Sequence, residues 1–91
     1  MMDLTDFIRT KSRENKVIIG YDTVMKFIKN DNPELIILAN NFPDDKKKII
    51  EYNAKIAKVE VKEYPNDSVN LGLVCGKPFP ISVLAIRRTK K

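Results

Sequence analysis

The sequence predicts an α/β fold, a three-layer α/β/α sandwich built on a mixed four-stranded sheet. Segments whose apolar residues recur at helical spacing alternate with short apolar runs, in the order α-β-α-β-α-β-α-β. The connections between them are short, so helices are expected to cover both faces of the sheet. A length of 91 residues fits one domain, 1–91, in which every helix contributes a face to the core.

The individual elements follow from the period of the apolar residues. Leu4, Phe7 and Ile8 recur at i, i+3 and i+4, which is typical of a helix that buries one side. The β-branched run 17–19 is typical of a strand and ends at Gly20, where we expect a tight turn. The same reasoning predicts helices at 3–14, about 22–30, 43–57 and 68–75, and strands at 17–19, 35–39, 59–62 and 81–86.

Caps, helix faces and strand positions can also be predicted. The strand 17–19 is expected to be central, the strands 35–39 and 81–86 are expected to be buried, and the alternating strand 59–62 is expected at a sheet edge. Gly76 is expected to end the fourth helix in a left-handed conformation, before Pro78 prevents continuation. The expected N-caps are Asp3, Asp22 or Thr23, and Asp67 or Ser68. The expected inner face of the third helix comprises Ile49, Ile50, Asn53, Ala54, Ile56 and Ala57.

Composition limits the function. The chain carries 17 basic and 12 acidic residues, a net charge of +5 and a pI near 9.4, which favours a polyanionic partner. It contains no histidine, the usual general base and the commonest metal ligand, so most enzyme classes are disfavoured. Its single cysteine allows no internal disulfide, and no apolar run is long enough to span a bilayer. We therefore expect a cytoplasmic protein with no catalytic residues, cofactor, metal or membrane partner.

Three loops form the expected functional site. Gly20 and Asn40–Asn41 each follow a strand and precede a helix, so they are expected side by side at the end of the sheet where ligands bind. The loop Lys77–Phe79 instead enters the last strand, and it joins the other two only if that strand runs antiparallel to the first two. Glycine backbone, asparagine amides, helix amino ends, lysines and an aromatic ring can hold phosphate, hydrogen-bond a base edge and stack on an unpaired base.

Four motifs in register carry a resemblance to a known family. They are Gly20-Tyr21 before a helix, Leu35-Ile36-Ile37-Leu38-Ala39-x-Asn41-x-Pro43, Glu51-Tyr52-x-Ala54, and Leu71-Gly72-x-x-x-Gly76-Lys77-Pro78-Phe79. In this order and spacing the chain resembles the ribosomal protein L thirty-e family. These are archaeal and eukaryotic large-subunit proteins of the kink-turn-binding superfamily. The resemblance covers nearly the whole chain.

The resemblance implies a structural component of the large ribosomal subunit that binds and stabilises a kink-turn in ribosomal RNA. It implies ribosomal RNA and other large-subunit proteins as partners, and a monomer when free. Gly20 would let the RNA backbone approach, Asn41 would hydrogen-bond a base and Phe79 would pack on an extruded base. The implied RNA-binding residues are Gly20, Tyr21, Thr23, Lys26, Asn40, Asn41, Lys46, Gly76, Lys77, Pro78 and Phe79. Family members often place basic residues after the glycine, whereas this chain has Asp22-Thr23, which removes a phosphate contact.

Simpler interpretations remain open from the residues alone. Turn and cap geometry would explain Gly20 and Gly76, the run 46–48 would be a solvated helix face, Asn41 would cap the third helix, and Phe79 would cover the core. Cys75 is expected to be a small core residue. Two other functions also remain: a kink-turn protein of another ribonucleoprotein, such as a guide-RNA particle or ribonuclease P, and a small nucleotide-binding enzyme. The enzyme would lack a P-loop and a histidine.

Overall fold

The computed structural model describes residues 4–30 and 33–87. The expected alternation of four helices and four strands is confirmed. The elements are α1 (Leu4–Arg13), β1 (Val17–Ile19), α2 (Tyr21–Asn30), β2 (Leu35–Leu38), α3 (Asp44–Ala57), β3 (Glu60–Glu63), α4 (Ser68–Val74) and β4 (Val83–Ile86). The predicted cap Asp3 lies outside the described residues. None of the helices within these ranges is long and apolar enough to cross a membrane.

The four strands form one mixed sheet in the order β1-β4-β2-β3. β4 runs antiparallel to both of its neighbours, β1 and β2, whereas β2 and β3 are parallel. The expected mixed sheet and the edge position of β3 are therefore confirmed. The prediction that 17–19 is a central strand is wrong: β1 is the other edge strand and is only half-buried. A β-branched run reports a preference for extended backbone, but it does not report how many strands lie beside it.

Alternating residues of the central strands divide the interior into two cores, which gives the three layers. Leu35 and Ile37 face the core that α1 and α4 cover, with Ile8 and Leu71 among its members. Ile36 and Leu38 face the core that α2 and α3 cover. Both central strands are fully buried because helices cover both of their faces.

The helix ends agree only partly with the predicted caps. The Asp67 carboxylate caps α4 by accepting the Asn70 backbone N–H at 3.0 Å, as expected. α2 begins at Tyr21, so the prediction that Asp22 or Thr23 caps it is wrong, since both residues lie inside its first turn. Gly20 takes the cap position instead, because its carbonyl accepts the first helical hydrogen bond, from the Val24 N–H at 2.9 Å.

The predicted inner face of α3 is too wide. Ile50 and Ala54 are buried, but Ile49 is 47% exposed and Ile56 is 65% exposed. At 100° per residue, Ile49 and Ile56 both point more than a quarter of a turn away from Ile50, so they share a side of the helix that the sheet does not cover.

Candidate nucleic-acid interface

The three predicted loops meet at one end of the sheet. The Gly20 N–H donates to the Val83 carbonyl at 3.4 Å, and the Ala39 N–H donates to the Ser82 carbonyl at 2.9 Å. The last residues of β1 and β2 therefore lie beside the first residue of β4. The loops were expected to converge only if β4 ran antiparallel to β1 and β2. The convergence and the antiparallel direction of β4 are both confirmed.

A groove of about 340 Å³, here called the Tyr21 groove, lies between the loops that follow β1 and β2 and the segment that leads into β4. The Lys46 Nζ lies 5.4 Å from the centroid of the Tyr21 ring, over its face, and the Phe42 ring lies 6.4 Å from the same ring. The arrangement places a lysine cation and an aromatic face together at the groove. The lining residues are Ile19, Gly20, Tyr21, Phe42, Pro43, Lys46, Pro80, Ile81, Ser82 and Val83.

Gly20 is required by backbone conformation, not by lack of space. Its φ of +102° lies in the left-handed region, which strains any other residue, while the atom nearest to an added Cβ is the Thr23 Oγ1 at 3.9 Å. The turn-geometry interpretation of Gly20 therefore holds, and it is compatible with close approach of a ligand backbone from the open side.

The two asparagines after β2 are bound to the β3–α4 loop. The Asn40 Nδ2 donates to the Pro65 carbonyl at 3.2 Å. The Asn41 Oδ1 accepts the Ser68 backbone N–H at 3.1 Å, and its Nδ2 donates to the Ser68 Oγ at 3.3 Å. The capping interpretation of Asn41 is wrong for α3, whose N-cap residue is Pro43 and has no side-chain cap. An amide has two N–H donors and two acceptor lone pairs, so Asn41 keeps one of each for a ligand.

The end of α4 fixes where the loop before β4 starts. Gly76 has a φ of +71°, as predicted, and its N–H donates to the Leu73 carbonyl at 3.0 Å. The Lys77 N–H donates to the Gly72 carbonyl at 2.9 Å, which completes a Schellman motif. Nothing lies within 4 Å of a Cβ added at Gly76, so this glycine too is explained by its conformation.

The same loop rests on Gly72, a residue that sequence reasoning noted in a motif but did not assign to the site. Gly72 is buried within α4, and a Cβ there would overlap the backbone carbonyl oxygen of Phe79. A signal was available, because glycine in a helix interior costs stability unless another chain segment must pass close by. Ser68, which orients Asn41, carried no comparable signal.

Phe79 lies on the surface, where 49% of it is exposed. The interpretation that it covers the core is therefore wrong. It lines a depression of about 150 Å³, here called the Phe79 pocket, together with two exposed apolar residues of α4, Val69 and Leu73. The remaining lining residues are Lys77, Pro78 and Pro80. Pro80 also lines the Tyr21 groove, so the two depressions adjoin.

The other predicted site residues lie farther out. Thr23 and Lys26 are exposed on α2, and neither is among the residues that line the Tyr21 groove or the Phe79 pocket. Within the run 46–48, the Lys47 Nζ donates a hydrogen bond to the Glu63 carboxylate at 3.2 Å, and this bond raises the pKa of Lys47. Lys48 is a solvated residue of the helix surface. Lys46 is thus the member of the run that the fold directs to the groove.

Cys75 has the properties of a core residue. It is 6% exposed, and burial raises the pKa of its thiol to about 11. The thiol is therefore protonated at neutral pH, a state that is a poor nucleophile and a poor metal ligand. The prediction that Cys75 is a small core residue is therefore confirmed.

Comparison with known proteins identifies the family. The model of the Ribosomal protein L7Ae/L30e/S12e/Gadd45 family matches residues 2–91. The chain belongs to this family. The resemblance carried by the four motifs is confirmed, since those motifs pointed to its L30e branch and curated relatives bear that name.

Relatives in the family cover most of the chain. It is 39% identical to large ribosomal subunit protein eL30 of Methanocaldococcus jannaschii, over 93% of this chain and 77% of the relative. It is 41% identical to eL30 of Methanosphaera stadtmanae, over 94% of this chain and 88% of the relative. It is 40% identical to eL30 of Zea mays, over 90% of this chain and 77% of the relative.

Two solved structures share the fold. A Giardia lamblia 15.5kD RNA binding protein superposes with a TM-score of 0.81 at 17% identity, covering 96% of this chain and 72% of that one. A Bacillus halodurans C protein of unknown function superposes with a TM-score of 0.84 at 21% identity, covering 93% and 84%.

Proposed function

We propose that this protein is a structural component of the large ribosomal subunit that binds and stabilises a kink-turn in ribosomal RNA. The whole chain, 1–91, would act as one RNA-binding domain of the cytoplasmic ribosome, without catalysis. The name shared by relatives at 39–41% identity supports the assignment to the large subunit. The observation that carries RNA binding is the exposed Phe79 ring, mounted at the end of the sheet where glycine, asparagine and lysine loops converge.

Each part of this surface has a role that suits a kinked RNA. The Phe79 ring and the apolar side chains beside it would pack against the base that the kink extrudes, since every base has a π-face and an apolar body. Lys77, on the rim of the same pocket, would meet the phosphate of that nucleotide. Pro78 holds the loop stiff, because its φ is fixed by the ring.

Asn41 would read a base in the bulge. Its amide is already oriented by the two hydrogen bonds to Ser68, so little side-chain entropy is lost when the remaining N–H and lone pair bind a base edge. Asn40 is bound to the Pro65 carbonyl and would contribute chiefly by holding this loop.

The Tyr21 groove would hold the RNA backbone. Lys46 and the free amides at the start of α3, which has no side-chain cap, favour phosphate there. The glycine at position 20 lets a sugar-phosphate chain approach the backbone closely. Thr23 and Lys26, exposed on α2, would add outer contacts where the RNA passes that helix.

The mechanism is a shift of population. A kink-turn exchanges between extended and bent forms, and a protein that contacts the extruded base and the bulge together binds the bent form better. The free energy of that difference stabilises the bend, so no covalent chemistry is required. Other large-subunit proteins would join this RNA during assembly, and the free protein would be a monomer.

The test is a parallel titration of two RNAs at several salt concentrations. One is a short kink-turn, and the other is the same RNA with its sheared G·A pairs replaced by Watson–Crick pairs. We expect tight binding to the kink-turn alone, with a preference that persists at high salt. Equal and weak binding that disappears as salt rises would contradict the proposal, because the net charge alone would then explain it.

A further inference from the structure

A second groove lies beside the site, between α1 and the end of α4. This α1–α4 groove has a volume of about 440 Å³. The Ser12 Oγ donates to the Cys75 carbonyl at 2.9 Å, a hydrogen bond that fixes α1 against the end of α4. The walls of the groove are therefore set by the fold before any ligand binds. The lining residues are Arg9, Ser12, Arg13, Leu73, Val74, Cys75, Gly76 and Lys77.

The groove is positively charged. Arg9, Arg13 and Lys77 line it, and no carboxylate is among its lining residues. The nearby acid Glu14 lies 3.9 Å from Lys11 and 3.8 Å from Lys16. Within the ranges 4–30 and 33–87, neither Arg9 nor Arg13 forms an ion pair.

The spacing of the two arginines indicates that they serve to bind a ligand and not to stabilise the fold. Arg9 and Arg13 are four residues apart, so they lie on one side of α1, where like charges repel each other and weaken a helix. Arg13, in the last turn, balances the negative end of α1, but Arg9 lies a full turn earlier and has no such role. Guanidinium groups in this arrangement suit the oxygens of phosphates.

The groove is continuous with the Phe79 pocket. Leu73 and Lys77 line both depressions, so a nucleotide chain that leaves the pocket reaches the arginines without leaving the protein surface. The α2 and α3 side of the sheet is separated from this path by the sheet itself.

We propose that the α1–α4 groove binds the phosphate backbone of an RNA segment that adjoins the kinked element. The inference rests on the proposed function, because it extends the same RNA-binding surface from the loop 77–80 onto α1. Arg9 and Arg13 would each contact a phosphate, and Lys77 would belong to both sites. The kinked element would fix the register of the RNA, and the groove would hold the strand that continues from it.

The test compares two RNAs and two double variants. One RNA is the kink-turn with both stems trimmed, and the other has both stems extended by a helical turn. The first variant carries Arg9→Gln and Arg13→Gln. The matched control carries Lys29→Gln and Lys55→Gln, which remove two exposed charges from the last turns of α2 and α3 on the opposite side of the sheet.

We expect the arginine variant to bind the extended RNA about tenfold or more weakly at roughly 0.1 M salt, with a salt slope smaller by about 1.8, the value for two phosphate contacts to a duplex. It should bind the trimmed RNA like the unmodified protein, and the lysine control should retain its affinity for both. Hydroxyl-radical cleavage should show protection of the extension by the unmodified protein that the arginine variant loses. Thermal unfolding should give all three proteins the same midpoint, since the substituted residues are exposed.

Three results would overturn the inference while leaving the proposed function intact. They are an unchanged salt slope on the extended RNA, an equal loss in the lysine control, and an equal loss on the trimmed RNA. Failure of the proposed function has a separate signature. The unmodified protein would then bind the kink-turn and its Watson–Crick counterpart with equal affinity, whatever the affinity of the arginine variant.

Discussion

Two loops at the same end of the sheet are held in place by different means. The loop after β2 is fixed by hydrogen bonds, through Asn40 to the Pro65 carbonyl and through Asn41 to Ser68. The loop before β4 is fixed by close packing, because its backbone lies directly on Gly72. The first presents a polar amide and the second presents an aromatic ring.

The difference shows how a polar and an apolar side chain are each positioned before a ligand binds. A polar side chain must point its donor and acceptor correctly, and protein hydrogen bonds set that direction before the ligand arrives. An apolar ring needs position more than direction, and a hard steric contact under the backbone supplies it. Both devices reduce the entropy lost on binding.

The largest effect is expected from Gly72→Ala, which attacks the packed loop. The added methyl group overlaps the Phe79 carbonyl oxygen, so the free energy of unfolding should fall by about 1–3 kcal/mol and kink-turn affinity should fall with it. Urea denaturation and RNA titration measure the two effects. The matched substitution Gly76→Ala meets open space and should cost only the strain of its positive φ, about 1 kcal/mol. An increase in stability for Gly72→Ala, as helix propensity alone predicts, would refute the packing explanation.

The second prediction tests the aromatic ring without disturbing the backbone of the loop that carries it. Phe79→Ala should weaken kink-turn binding by about 1–3 kcal/mol, because one stacked base loses its platform. Stability should change little, since the ring is half-exposed. The control is Tyr52→Ala, which removes an exposed aromatic side chain of α3. This variant should bind the kink-turn with unchanged affinity. Full RNA affinity of the Phe79 variant would remove the ring from the site without questioning the fold.

Asn41→Asp tests the hydrogen-bonded loop. The aspartate still accepts the Ser68 N–H, so the free energy of unfolding should change by less than about 1 kcal/mol. The free donor is lost, so kink-turn affinity should fall by about 1–3 kcal/mol in fluorescence titrations. Asn66→Asp places the same charge on the neighbouring β3–α4 loop, at an exposed residue whose backbone carbonyl accepts the Asn40 N–H, and serves as the control. An equal loss in both variants would mean that added negative charge, not base reading, is responsible.

The smallest effect is expected at Asp22, outside both loops. Asp22→Lys should strengthen RNA binding modestly and steepen its salt dependence by roughly one phosphate contact, because the side chain is exposed in the first turn of α2 next to Gly20. Glu60→Lys makes the same charge change at the opposite end of the sheet and should leave the salt slope nearly unchanged. Identical slopes for the two variants would show that Asp22 faces away from RNA.

Local chemistry made most of the fold predictable. The period of the apolar residues located all eight elements, and Asp67 and Gly76 marked the ends of α4 correctly. The error in the strand order, which placed β1 at the centre of the sheet, occurred because a distant segment decided the outcome. β4, more than 60 residues later in the chain, lies between β1 and β2, so β1 is left at the end of the strand order.

The candidate site was predictable in its residue types and less so in its geometry. Glycines, lysines and Phe79 could be chosen because loops at strand ends carry ligand contacts in α/β sheets. The partner of Asn41 could not be predicted, because Ser68 lies 27 residues away and joins it only when β2 and β3 pair in parallel. The contact between Gly72 and the Phe79 carbonyl likewise depends on how tightly the loop packs on α4.

By itself, the sequence determined the order of the elements, the surplus of positive charge and the family motifs, because these depend on neighbouring residues and on composition. Only the tertiary structure decided that β4 and β2 are the central strands and that two arginines of α1 share a groove with Lys77. The physical reason is that these features depend on contacts between segments far apart in the chain, and such contacts exist only once both faces of the sheet are covered.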